Sequence, residues 1–185
     1  IYMGILGLRI LLIRSGQQHK FNHINSLADL SSGIEGGFVS SWSDMHILDV
    51  NNVATHKTTN YTSLMAMLKG GRFDYISRGV NEIWGELENL NTDQEHKALT
   101  TEKKIALYYP ADHYLVTAVK NTHIANRLDY GLAEAIRDGS LKTLFLKHLG
   151  PALKKANLDN RKLLYLINPL TQPKIKTHWW LNTPP

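Results

Sequence analysis

Cysteine is absent from this 185-residue sequence. Its absence excludes disulfide staples, thiolate nucleophiles and thiolate metal sites, and leaves the redox compartment undecided. Long apolar runs are also missing. The opening stretch IYMGILGLRILLIRSG falls well short of the roughly 20 residues that a bilayer crossing takes. No basic segment precedes it and no small-residue cleavage site follows it, so it does not read as a secretory leader. It reads as a strand entered in mid-protein, which is the start expected of a fragment or a processed chain. Clustered charge is scarce as well. The 21 Lys and Arg residues against 16 Asp and Glu give a net charge of +5, mildly favouring anionic partners. The basic residues are nonetheless scattered, apart from the pairs Lys103-Lys104 and Lys154-Lys155, so no nucleic-acid footprint is expected.

Catalytic spacings are lacking too. Of the nine histidines, those at 46, 56, 113, 123 and 148 form neither HxH nor HExxH, and no metal is expected. There is no GxSxG elbow, no GxxxxGK[ST] loop and no strand-linked GxGxxG, so neither a serine hydrolase nor a nucleotide cradle is indicated and no cofactor is expected. Glu82 and Glu86 stand four apart on one helix face, a spacing that suits a solvated face or hinge contacts better than paired-carboxylate catalysis. Asp74 reads as a sheet-edge or turn residue.

What is present is an alternation of strands and helices with 43% hydrophobic residues, ordinary for a globular protein. Ile10 to Ile13 form a continuous apolar run, the pattern of a strand buried on both faces of a parallel sheet. SLADLSSG predicts a short helix stopped by Gly33. GGFVSS predicts a second strand, followed by a helix over WSDMHILDV, and a weaker strand is predicted around Asn52 to His56. YTSLMAMLKGG sets Tyr61, Leu64, Met67 and Leu68 on one helical face, with Gly70-Gly71 as a stop. RFDYIS is the next strand and GVNEIWGELENL the next helix.

The second half has another rhythm. KIALYYP and YLVTAVK are strand candidates around the turn Pro110-Ala111-Asp112. A helix follows whose apolar face is Ile124, Leu128, Leu132, Ala135 and Ile136, with Asn121 or Thr122 able to cap it. A second helix through Leu141, Leu144, Phe145 and His148 is expected to break at Gly150-Pro151. The proline-rich tail, with its paired tryptophans Trp179 and Trp180, reads as extended.

The segments YTSLMAMLKGGRFDYISRG and IANRLDYGLAEAIRDGSLKTLFLKHLG, in this order and spacing, resemble periplasmic solute-binding proteins of the amino-acid-binding type. GLRILLIRSG, SSWSD, RGVNEIWGEL and the late NP are similar to a subgroup of transporter substrate-binding-like proteins. The resemblance implies an α/β, type II periplasmic-binding-protein-like fold: two lobes joined by crossing strands, with a ligand trapped between them. It makes residues 1–13 a hinge strand and 14–112 the second lobe. Residues 113–185 become the return strand, C-terminal helices and tail of an incomplete first lobe. Residues 120–150 would then expose an apolar face, to be covered by self-association, strand exchange or a separate chain. It also implies a periplasmic or extracytoplasmic setting, a small-molecule ligand, and a membrane transporter or sensor as partner.

In such a cleft the junction Ser40-Ser41-Trp42-Ser43-Asp44 offers backbone N–H groups and hydroxyls at a helix start, suited to a carboxylate or another small anion. Equally, Ser41 or Ser43 is an N-cap, and Trp42 is either a stacking wall or packing. Arg78 follows a strand at the edge where open α/β sheets bind ligands, and it can hold a carboxylate by two parallel bonds. Its alternative is a local pair with Glu82. The amino-acid-binding pattern carries an aspartate near this strand end for the ligand's amino group. Position 79 is glycine, so Asp44 or Glu82 would have to supply that charge. Ser40, Ser41, Trp42, Asp44, Arg78 and Glu82 are thus the candidate ligand-binding residues. The readings left open are solute binding for ABC-type uptake, ligand sensing for a signalling protein, and an enzyme recruited from the same fold.

Overall fold

A computed structural model of the chain describes residues 4–91, 98–111 and 113–170. Seven strands form one sheet: β1 (Leu8–Arg14), β2 (Gly36–Val39), β3 (Thr55–Thr58), β4 (Tyr75–Gly79), β5 (Leu99–Thr101), β6 (Ile105–Tyr108) and β7 (Lys162–Tyr165). Their order is β3-β2-β4-β1-β6-β7, with β5 also paired to β1. The helices are α1 (Leu27–Gly33), α2 (Asp44–Val50), α3 (Tyr61–Lys69), α4 (Ile83–Leu90), α5 (Thr122–Arg137) and α6 (Ser140–Ala156).

β1 is the spine of the sheet. Its apolar run buries alternate residues on opposite faces, Ile10 and Leu12 into one core and Leu11 and Ile13 into the other. The expected burial on both faces is therefore present, but the expected parallel neighbours are not. β1 runs antiparallel to β4, β5 and β6, while β2 with β3, β2 with β4 and β6 with β7 are the parallel pairs. An all-apolar strand reports that both faces are covered and says nothing of its neighbours' direction. The first core takes Leu64 and Leu68 of α3, Ile83 of α4, and Phe145 and Ala156 of α6. The second takes Leu30 of α1, and Met45, Ile47 and Leu48 of α2. Helices thus cover both sheet faces in three layers. Each wholly buried Leu or Ile contributes about 1.5–3 kcal/mol.

Two predicted elements differ. Residues 114–120 form no strand: Val116 and Val119 are 89% and 97% exposed, and without a neighbour to pair with, an alternating pattern has nothing to hold it extended. α6 does not stop at Gly150 but continues through Pro151 to Ala156, because Leu149 before the break and Leu153 and Ala156 beyond it all pack on the first core. The weak strand of residues 52–56 is shifted to Thr55–Thr58, and the strand containing Asp74 starts later, at Tyr75. Trp179-Trp180 and the rest of the tail beyond residue 170 lie outside the described residues, as does Asp112 of the expected turn.

Within the segment 113–185, α6 and β7 join this sheet and its core, whereas α5 buries no side chain. α5 lies along α6, with Ile124, Tyr130 and Ile136 exposed. Among the described residues no helix is long and apolar enough to cross a membrane.

Two buried polar clusters fasten the sheet. Glu102 is fully buried and accepts from the backbone N–H groups of Lys104 (2.8 Å) and Ile105 (2.7 Å) and from Gln18 Nε2 (2.6 Å). Arg161 Nη1 stands 3.5 Å from its carboxylate, and Arg161 Nε donates to the Ala156 carbonyl at the end of α6. The other cluster, around Arg9, lies beneath the candidate site. There Gly7 lets the chain approach Tyr109: a Cβ at residue 7 would stand 1.7 Å from the Tyr109 carbonyl oxygen.

Candidate functional site

The C-terminal ends of β2 and β4 lie side by side, and the antiparallel β1 starts at the same edge, with Arg9 opposite Gly79 and Ile10 opposite Arg78. Loops leaving β2 and β4 therefore converge on one spot. A cavity of about 410 Å³ opens there, lined by Arg9, Ser41, Trp42, Ser43, Asp44, Arg78 and Glu82. Five of the six candidates read from the sequence, namely Ser41, Trp42, Asp44, Arg78 and Glu82, meet in it. Ser40 does not line it; its backbone N–H bonds the Thr58 carbonyl at 2.9 Å, continuing the β2–β3 ladder.

Arg78 is the last residue but one of β4 rather than the residue after it. Its Nε donates to Glu86 at 2.8 and 3.1 Å, its Nη2 bonds the same carboxylate, and Nη2 also stands 3.1 Å from Glu82 Oε2. The guanidinium edge suited to a ligand carboxylate thus has a competitor within the chain. Glu86, read from the sequence as a solvated or hinge residue, is that competitor. The Arg78 guanidinium carbon also lies over the Trp42 ring, 4.6 Å from its centroid, with the Tyr61 centroid at 5.9 Å. Trp42 in turn meets Phe38 edge-on at 5.0 Å. The indole is therefore held by packing on Phe38 while it also forms a wall of the cavity, so both readings of it apply together. Burial works to lower the Arg78 pKa, but the hydrogen bonds and charge of Glu86 outweigh it and raise it. Burial raises the Tyr61 phenol, with Glu86 adding to the effect.

Arg9 was not legible as a site residue. Only 8% exposed, it donates from Nε to the Tyr109 hydroxyl at 2.7 Å and from Nη2 to Asp44 Oδ2. The Tyr109 hydroxyl donates to the same Asp44 oxygen at 2.6 Å. Burial pushes the Tyr109 phenol far up; Arg9 opposes this and Asp44 reinforces it, which keeps the proton in place to be donated. Asp44 is thereby fixed at the first turn of α2. The Ser43 hydroxyl makes no capping bond to α2 and instead bonds Asp44 Oδ1 at 3.3 Å. A lone charge inside the apolar run of β1 was the available signal, since a buried arginine requires a buried partner. Asp74 lies elsewhere: it pairs with Lys20 at 2.7 Å and accepts from the Glu35 N–H at 3.1 Å. Among the described residues no three His, Asp or Glu side chains converge as a metal site.

No protein-family model and no curated protein matches the sequence. Solved structures do. An ancestral arginine-binding protein bound to glutamine superposes with a TM-score of 0.51 at 16% identity, over 77% of this chain and 60% of that one. The ancestral arginine-binding protein bound to arginine gives 0.47 at 18% identity, over 76% and 59%. The chain spans about 60% of the length of these structures. It has the mixed α/β fold of the glutamine-bound protein, that of type II periplasmic binding proteins.

Proposed function

We propose that this chain is the ligand-holding lobe of a two-lobe solute-binding protein, acting outside the cytoplasm to capture a small polar solute for ABC-type uptake. The observation that carries this reading is the cavity at the ends of β2 and β4, the edge at which open α/β sheets receive ligands, where Ser41, Trp42, Asp44, Arg78 and Glu82 come together around about 410 Å³. That volume suits a solute of amino-acid size or somewhat larger. The fold shared with an arginine-binding protein bound to glutamine supports a ligand of this kind. Binding is the output: the lobe contributes hydrogen-bonding groups and an aromatic wall, and closure against a second body excludes water. Apart from the cavity, the exposed apolar residues of α5, Ile124, Tyr130 and Ile136, are read as a surface that a missing lobe, a separate chain or a second copy covers. Native mass spectrometry tests the reading. A small molecule retained by the chain and lost in Trp42→Ala is the expected result, and a chain that takes up no solute from a metabolite mixture contradicts it.

A further inference from the structure

We infer that Glu86, reaching over from α4, sets the charge of the solute: by holding the hydrogen-bonding fork of Arg78 away from the cavity it leaves a subsite that takes an uncharged amide or hydroxyl group and refuses a carboxylate. The inference rests on the solute-binding reading and adds to it the chemical class of the ligand.

Arg78 lines the cavity and Glu86 does not. The Nε and Nη2 donors of Arg78 form the edge that grips a carboxylate by two parallel bonds. Both are given to Glu86, with Nε at 2.8 Å from Oε2. Nη2 has a second carboxylate, Glu82, at 3.1 Å. With 12% and 20% side-chain exposure, Arg78 and Glu86 are largely shielded from water, so the pair is weakly screened and costly to part. A solute carboxylate at this edge would have to evict Glu86, exchanging one carboxylate for another and gaining no bond. The second cation offers no alternative, since Arg9 gives Nε to the Tyr109 hydroxyl and Nη2 to Asp44. Among the described residues at the cavity, two guanidinium groups thus face three carboxylates, Asp44, Glu82 and Glu86, and an anion would add to the surplus. What the wall still offers is uncharged hydrogen bonding. Arg78 Nη1 makes no bond among the described residues, the Ser41 hydroxyl belongs to a lining residue, and the carboxylates keep lone pairs to spare. An amide, with an acceptor oxygen and donor N–H groups, or a hydroxyl, which is both donor and acceptor, suits such a wall. Glu86 is thus a positioning residue, acting on the solute through Arg78.

The test is calorimetric titration of the 185-residue chain with glutaramide and glutarate, ligands of one skeleton that differ in bearing amides or carboxylates, repeated on Glu86→Gln and Glu82→Gln. Each variant removes one negative charge, but only Glu86→Gln releases the Arg78 fork. The wild-type chain is expected to bind glutaramide at least about ten-fold more tightly than glutarate, and Glu86→Gln to raise the glutarate affinity by about ten-fold or more. Glu82, at 41% exposure, is better screened by solvent, so Glu82→Gln is expected to raise it by about three-fold at most. Glutarate bound by the wild-type chain as tightly as glutaramide, or a gain in Glu86→Gln no larger than in Glu82→Gln, overturns the inference and leaves the solute-binding reading standing. The wild-type comparison decides even where a variant does not fold. No saturable binding of either ligand by any of the three proteins, with circular dichroism of a folded chain, counts against both.

Discussion

Asp44→Ala is expected to destabilise the chain mainly through what it leaves behind in Arg9. In the native chain one carboxylate oxygen receives both the Arg9 Nη2 and the Tyr109 hydroxyl, and the Tyr109 oxygen receives Arg9 Nε. Removing the carboxylate leaves a guanidinium with 9% side-chain exposure without its counter-charge and a buried phenol without its acceptor. Breaking a fully buried pair costs about 3–5 kcal/mol. The Asp44 side chain is 20% exposed, so water can partly replace it, and about 2–3 kcal/mol is the appropriate expectation. Arg9→Met removes the cation instead. The remaining Asp44 can then turn to solvent and keep its Tyr109 bond, so the cost is smaller, about 1–2 kcal/mol. The double variant leaves no uncompensated charge and is expected to cost less than the sum of the two by at least about 1 kcal/mol. Equilibrium urea unfolding reads this directly: with a slope of about 2 kcal/mol per molar, Asp44→Ala lowers the midpoint by about 1 M. A change in Asp44→Ala below about 0.5 kcal/mol, or strictly additive single variants, would refute the coupling and with it the account of how α2 is anchored at the cavity.

Glu102→Ala is expected to cost more, about 3–5 kcal/mol in the same assay, because Glu102 is wholly buried, caps two backbone N–H groups and faces Arg161; a loss under about 1 kcal/mol would mean that this pair does not hold β7 to the sheet. Pro151→Ala is expected to raise stability by about 1 kcal/mol, since it restores a hydrogen bond from residue 151 to the turn before it inside α6. Unchanged or lowered stability would indicate that the helix is bent usefully by the proline.

Much of the fold could be read from periodicity and turn residues. The cap at Asn60, whose side chain accepts from the Ser63 N–H, and the C-terminal Gly70 bound α3 close to where the sequence predicts it. The cleft edge was legible for the same reason: a strand ending in Ser-Arg-Gly before a helix fixes where Arg78 and Glu82 stand, whatever surrounds them. Partners distant in sequence were not legible. Arg9 and Tyr109 are 100 residues apart, and nothing local to either reveals the other. Glu86 could be assigned to a helix face, but its grip on Arg78 depends on how α4 returns over β4. Residues 114–120 carry the alternation of a strand and form none, because alternation describes a surface that fits a sheet and cannot supply the neighbouring strand. At Gly150-Pro151 local propensity yields to packing, since the apolar residues that follow are buried on the first core.

The central claim is that the edge formed by β2 and β4 holds a small solute. Native mass spectrometry of the purified chain under gentle desolvation tests it most directly, because one spectrum records the oligomeric state and any bound small molecule together. The account expects a peak heavier than the bare polypeptide by the mass of one small solute per chain, collapsing to the bare mass in Trp42→Ala. It also expects that the species with α5 covered is larger than one chain. A strictly monomeric chain that stays at its bare mass after incubation with a mixture of amino acids, amines and organic acids would contradict it.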